Sequence, residues 1–123
     1  MIRIVLTLAA ALTAVVLAAT SAWGAAPRLV GSTGPDGAFH ITLTKGGKKV
    51  TKLKAGKYTF VVADKASVHN FVLEQVSGGK FEKQLTTVPF TGTKTVTVTL
   101  KKGKWKYYCR AHESSMFGFF TVK

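Results

Sequence analysis

The sequence predicts an all-β protein, an antiparallel sandwich of two sheets with seven or eight short strands. Apolar and polar residues alternate with period two in three separate runs, which begin at Phe39, Tyr58 and Val96, and this alternation is typical of strands buried on one face. Glycine-containing turns such as Gly46-Gly47 and Gly78-Gly79 separate the runs. Short strands at this spacing, with no helical periodicity between them, favour a sandwich.

The first 24 residues have the pattern of a secretory signal peptide. A charge at Arg3 precedes an apolar run over residues 4–19, and small residues at Ala22 and Gly24 follow. The alternative is a retained membrane anchor, but two threonines interrupt the run. We expect removal of residues 1–24, which leaves residues 25–123 as one small domain and a periplasmic or extracellular location.

The remaining domain is strongly basic. Removing Arg3 from the 18 basic residues leaves 17 against 5 acidic ones, so the net charge is +12. Such a surface attracts an acidic protein, a lipid head group or a nucleic acid, and export argues against nucleic acid. The other interpretation is solubility, because most of the lysines occupy turns or alternate strand positions where a solvated face is expected.

Cys109 is the only cysteine in the chain. Small exported proteins commonly pair their cysteines, so an unpaired one requires an explanation. It can be a buried structural thiol, half of an intermolecular disulfide, a nucleophile or a metal ligand.

The strand alternation indicates where several candidate ligands point. His69 shares a face with Phe71, the face expected to be buried, and a buried imidazole needs partners for its nitrogens. Cys109 continues the inward face of the strand before it, and Met116 shares parity with the inward residues of the last strand. We expect these three side chains to converge at one end of the sandwich, with His112 closing over them from the loop.

Together, His69, Cys109, His112 and Met116 supply two imidazoles, a thiolate and a thioether. This donor set favours copper, whereas zinc, the main competitor, normally takes four strong ligands. The remaining alternative is that these are core residues close together only in sequence. His40 faces away from the apolar side of its run, so we leave it outside the site.

These residues carry a family resemblance. The spacing Cys109-x-x-His112-x-x-x-Met116-x-Gly118, with "VHNF" upstream at 68–71, resembles the cupredoxins, the plastocyanin, pseudoazurin and amicyanin group of blue copper proteins. The resemblance implies a Greek-key β-sandwich with one type 1 copper ion at one end and one-electron transfer as the activity.

Carried over by motif, the resemblance makes His69, Cys109 and His112 the strong ligands and Met116 the axial one. It also implies that the side chain of Asn70 ties the two ligand loops together. The sequence departs from the family in two ways: its loop between His112 and Met116 has an intermediate length, and its few acidic residues cannot form a plastocyanin-like acidic patch.

Three functional classes follow from these observations. The first is an electron shuttle, a monomer whose partner is a redox protein with an acidic docking surface; the second is a copper-holding or copper-delivery protein; the third is a cupredoxin-like binding module. We do not expect an enzyme, because protein side chains fill all four metal positions. Exposed methionine or histidine clusters, which would favour delivery, are absent from the sequence.

Overall fold

A computed structural model of the protein describes residues 25–123, and the predicted signal peptide, residues 1–24, lies outside this range. The described chain forms two five-stranded sheets that pack face to face. In chain order, the strands are β1 (Arg28–Thr33), β2 (Ile41–Lys45), β3 (Lys48–Lys49), β4 (Lys52–Leu53), β5 (Gly56–Asp64), β6 (Val72–Ser77), β7 (Glu82–Gln84), β8 (Gly92–Leu100), β9 (Gly103–Tyr108) and β10 (Phe117–Val122).

The strand order is β3-β2-β1-β5-β8 in the first sheet and β4-β10-β9-β6-β7 in the second. The predicted β-sandwich is confirmed, and the structure adds short strands that the sequence pattern missed. Strands β3, β4 and β7 are only two or three residues long. Such strands are too short to produce a recognisable alternation.

Two strand pairs are parallel rather than antiparallel. Strand β1 pairs in parallel with β5, and β10 pairs in parallel with β4. Neither pair is joined by a tight hairpin, and only a hairpin forces its two strands to run in opposite directions. The expectation of an antiparallel sandwich therefore holds for the hairpins and for β5–β8 and β6–β9, but not for these two pairs.

The core lies between the inner faces of the two sheets. In β5 every second residue from Tyr58 is buried, as the alternation predicted. Aromatic rings from the second sheet pack in pairs, Phe71 on Tyr107 with centroids 5.8 Å apart and Trp105 on Phe120 at 6.2 Å. Each fully buried side chain of this kind contributes about 1.5–3 kcal/mol to stability.

The sandwich has two ends with different compositions. At the end that we call the ligand end, β9 finishes at Tyr108 and β10 begins at Phe117. At the opposite end, called the lysine end, β10 finishes and β5 and β9 begin. A six-residue strand such as β9 separates the two ends by roughly 20 Å. Within residues 25–123, no helix has the length and apolar character needed to cross a membrane.

Candidate metal centre

Three predicted ligands converge at the ligand end. The Nδ1 atoms of His69 and His112 are 3.0 Å apart. The Sγ atom of Cys109 lies 3.9 Å from the first of these nitrogens and 3.7 Å from the second. The three residues come from two loops that are 40 positions apart in sequence. The fold therefore forms a cluster that no local sequence segment could form alone.

The loop that carries Cys109 and His112 is closed by its own hydrogen bonds. The backbone N–H of Cys109 donates to the carbonyl of Met116 at 3.0 Å, and the N–H of Met116 donates to the carbonyl of His112 at 2.8 Å. Between them, Arg110–His112 form a single 3-10 turn. This turn is the one departure from the all-strand prediction within residues 25–123. It brings His112 back over Cys109.

Met116 is fully buried directly before β10, on the inward face that the parity of the last strand predicted. Gly118 follows on the same face. A Cβ atom at Gly118 would collide with the ring of Tyr107, so the glycine leaves room for that ring. The glycine that ends the motif therefore has a packing role below the metal centre.

The orientation of His69 is fixed by a backbone carbonyl. Its side chain is 1% exposed, and its Nε2 atom is 3.0 Å from the carbonyl oxygen of Ala38. A carbonyl can only accept a hydrogen bond, so Nε2 carries a proton, and Nδ1 is the ring nitrogen that faces Cys109 and His112. A hydrogen bond to the far ring nitrogen is the usual way in which a metal-binding histidine is oriented.

Sequence reasoning missed the contribution of Phe39 to the site. The alternation assigned this residue to a strand, but β2 begins only at Ile41. The Phe39 ring packs against the ring of His69 at 5.9 Å and edge-on against that of His112 at 4.9 Å. The turn residues that precede it could have indicated a loop here. His40, next to it, is exposed and lies outside the cluster, as expected.

Asn70 links the two ligand loops. Its Oδ1 accepts a hydrogen bond from the backbone N–H of Arg110 at 2.8 Å, and its Nδ2 donates to Oε1 of Gln84 at 3.3 Å. The side chain is 2% exposed, so the first of these bonds is shielded from water. The residue beside His69 is thus tied to the residue beside Cys109.

A carboxylate and its partners border the cluster on the β7 side. The hydroxyl of Tyr108 and the guanidinium of Arg110 both donate to Oε1 of Glu82 at 2.6 Å. These hydrogen bonds, first that of Tyr108 and then that of Arg110, lower the pKa of Glu82. Burial, followed by the bond to Glu82, raises the pKa of Tyr108 to about 12.

The donor atoms fit a single metal ion. Two atoms that bind one ion at about 2.0–2.3 Å must lie within about 4.6 Å of each other. All three separations between the His69, Cys109 and His112 donor atoms satisfy this condition. Within the described residues, these three form the group of histidine, cysteine and acidic side chains that is positioned to hold a metal ion.

No protein-family model matches this chain, and no curated protein matches it. Solved structures do. The copper protein rusticyanin superimposes with a TM-score of 0.56 and 15% identity, covering 78% of this chain and 76% of rusticyanin. Auracyanin A, a blue copper protein of the green thermophilic photosynthetic bacterium Chloroflexus aurantiacus, gives 0.55 and 16%, covering 80% and 100%. An oxidised amicyanin variant gives 0.50 and 15%, covering 83% and 88%.

All three similar proteins are cupredoxins. The chain therefore has the cupredoxin fold, and the resemblance recognised in the sequence is confirmed for the fold.

Proposed function

We propose that this protein is an exported carrier of single electrons that holds one type 1 copper ion. The observation that carries the proposal is the convergence of two imidazole Nδ1 atoms and one cysteine sulfur at one end of a cupredoxin fold. His69, Cys109 and His112 would be the strong ligands, with the buried Met116 as the axial one. Copper bound there would supply a reversible one-electron change.

The surroundings of the cluster support outer-sphere exchange rather than substrate turnover. Cys109 and Met116 are fully buried, and His69 is 1% exposed, so a reactant has no path to the donor atoms of these residues. His112 alone is partly exposed. Four protein ligands would leave no open metal position for a substrate, and we infer that the protein is a carrier and not an enzyme.

The edge of His112 is the proposed route for the electron. Two large apolar side chains at the ligand end are exposed, Phe39 at 55% and Phe117, the first residue of β10, at 47%. Phe39 also packs against the His112 ring. A partner that covers these side chains would bring its own redox centre close to the imidazole.

We infer that the partner is a redox protein, and that the protein acts as a monomer. The further expectation, an acidic docking surface on that partner, depends on where the positive charge lies. Lys101 and Lys102, which precede β9, lie at the lysine end and not beside His112. At the ligand end, Lys65 is an exposed cation that an acidic partner could contact, whereas the exposed Arg110 is already paired with Glu82.

Copper holding or delivery is the alternative function. The buried thiol and the ligand loop that is closed by its own hydrogen bonds favour retention of the ion over release. The two functions predict different kinetics: a carrier keeps copper in both oxidation states, whereas a delivery protein loses it quickly to a chelator.

The test is to load the purified protein with copper and to record visible and paramagnetic resonance spectra through repeated oxidation and reduction. We expect an intense blue absorption from the thiolate-to-copper transition that cycles reversibly. Cys109→Ser should abolish the band while the circular dichroism spectrum of the sandwich persists, because the site lies at one end of the core. A blue band in the Cys109→Ser variant, or a parent protein that binds zinc but no copper, would contradict the proposal.

A further inference from the structure

The lysine end carries a broad groove that the metal centre does not use. Its volume is about 860 Å3. Apolar side chains from Pro27, Val50, Leu53 and Tyr58 line part of it. The rest of its wall includes six lysines: Lys45, Lys48, Lys49, Lys52, Lys54 and Lys123. All six are exposed.

The negative charge of the domain lies elsewhere. Asp36 and Asp64 sit at the ligand end, in the loop after β1 and at the last position of β5, and Glu113 sits in the ligand loop. Glu74 and Glu82 face each other across β6 and β7. Within residues 25–123, no acidic side chain is among the groove-lining residues, so none neutralises the cationic surface there.

The groove also holds like charges close together. The hydrogen bond to Lys52, followed by the positive charge of that side chain, lowers the pKa of Lys123. An anion bound between the two ammonium groups would reduce this repulsion. Long lysine side chains can also lie along apolar surface while their ammonium groups reach outward.

The chain enters the domain at this same end. Pro27, immediately before β1, is part of the groove wall. The apolar run of residues 4–19 precedes it in sequence by only a few residues. A signal peptide enters the membrane during export, so the lysine end is the part of the domain that follows it most closely in sequence.

We propose that the lysine groove binds the surface of an anionic phospholipid bilayer. Clustered lysines bind anionic lipids through the surface potential, and this attraction weakens as salt screens it. Pro27 is exposed in the groove wall, and the lysine side chains carry apolar stems. This apolar surface between the ammonium groups favours a lipid surface over a hydrophilic polyanion. Binding at this end points the metal centre away from the membrane, toward soluble partners. The proposal does not depend on the identity of the metal.

The test is sedimentation with vesicles of phosphatidylcholine, with or without phosphatidylglycerol, using protein isolated after export and with its N terminus identified by mass spectrometry. The groove variant replaces Lys48, Lys49, Lys52 and Lys54 with Gln. The matched control replaces Lys65, Lys80, Lys83 and Lys94 with Gln, which makes the same change in net charge at exposed positions outside the groove. Every comparison is made between proteins with the same N terminus.

We expect the parent to bind the anionic vesicles at low salt and to bind neutral ones far more weakly. The groove variant should lose at least about tenfold in affinity, because each lysine near the surface contributes several-fold, while the control should lose no more than about threefold. Equal losses of vesicle affinity in the two variants would show that binding depends on the net charge of the protein and not on the groove, and would overturn the proposal. So would binding to soluble polyphosphate without binding to anionic vesicles. Matching thermal unfolding midpoints would exclude misfolding as the cause.

Discussion

At the scale of single residues, His69 depends on groups far from it in sequence. Its ring is oriented by the carbonyl of Ala38, 31 positions earlier, and faces a thiol 40 positions later. Alternation predicted that this histidine is buried, and the structure confirms it. Alternation could not predict the tautomer, because the tautomer depends on a contact between two loops and no local sequence pattern encodes that contact.

Met116 offers a test of the axial ligand. If its thioether donates weakly to copper, Met116→Leu should raise the reduction potential, because the lost donor favours the oxidised ion. A tenfold change in relative affinity corresponds to about 59 mV for one electron, so we expect a rise of that order. Cyclic voltammetry measures it. The swap conserves volume, so the unfolding free energy should fall by less than about 1.5 kcal/mol. An unchanged potential would show that Met116 only packs.

Asn70 offers a test of the link between the ligand loops. Asn70→Ala removes the acceptor for the backbone N–H of Arg110, and we expect a loss of about 1 kcal/mol in unfolding free energy together with faster loss of copper to a chelator. Urea denaturation and the chelation rate measure the two effects. The control is Gln84→Ala, which removes only the longer bond to Asn70. Equal effects of both variants would argue against the loop link.

At the scale of elements, the long strands were predictable and the short ones were not. Strands β5, β8 and β9 carry enough alternating residues to show their buried face in the sequence. Phe39 was misassigned because an apolar residue beside a strand has the same local pattern whether it enters the core or covers a site. The convergence of the ligands was expected, whereas the coverage of the imidazoles by Phe39 depends on the loop between β1 and β2, whose path the sequence does not encode locally.

The contact between β7 and the end of β9 should make stability depend on acid. Because the folded state lowers the pKa of Glu82 below its ordinary value of 4.5, its contribution is present above that value and is lost as the pH falls through the folded-state pKa. Glu82→Gln should therefore flatten the fall in melting temperature below about pH 4.5. The effect should be small, because both side chains of the Glu82–Arg110 pair are about half exposed.

Thermal unfolding followed by circular dichroism at a series of acidic pH values measures this change. The control is Glu74→Gln on β6, the strand that pairs with β7. If Glu74→Gln flattens the acid decline as much as Glu82→Gln does, the contact with Tyr108 and Arg110 is not the cause.

At the scale of the whole molecule, the position of the lysines decides which of them affect electron exchange. Exchange with an acidic soluble partner should slow several-fold as salt rises to about 0.2 M, where the Debye length falls below roughly 10 Å. Lys65→Glu should weaken this salt dependence more than the pair Lys101→Glu and Lys102→Glu, since the latter lie at the lysine end. Stopped-flow rates at several ionic strengths measure it. If the Lys101 and Lys102 substitutions change the salt dependence more than Lys65→Glu does, the partner docks at the lysine end, and the proposed electron route through His112 is contradicted.

The separation of lysines from carboxylates along the sandwich also gives the molecule a permanent electric dipole. Its positive end is the groove, and its other end carries the copper ligands. Near an extended negatively charged surface, such as a membrane or an electrode, this dipole experiences a torque that rotates the molecule before contact is made. The molecule therefore approaches such a surface with its groove first. A negatively charged electrode should adsorb the protein strongly but exchange electrons with it slowly, because the copper ligands lie at the far end.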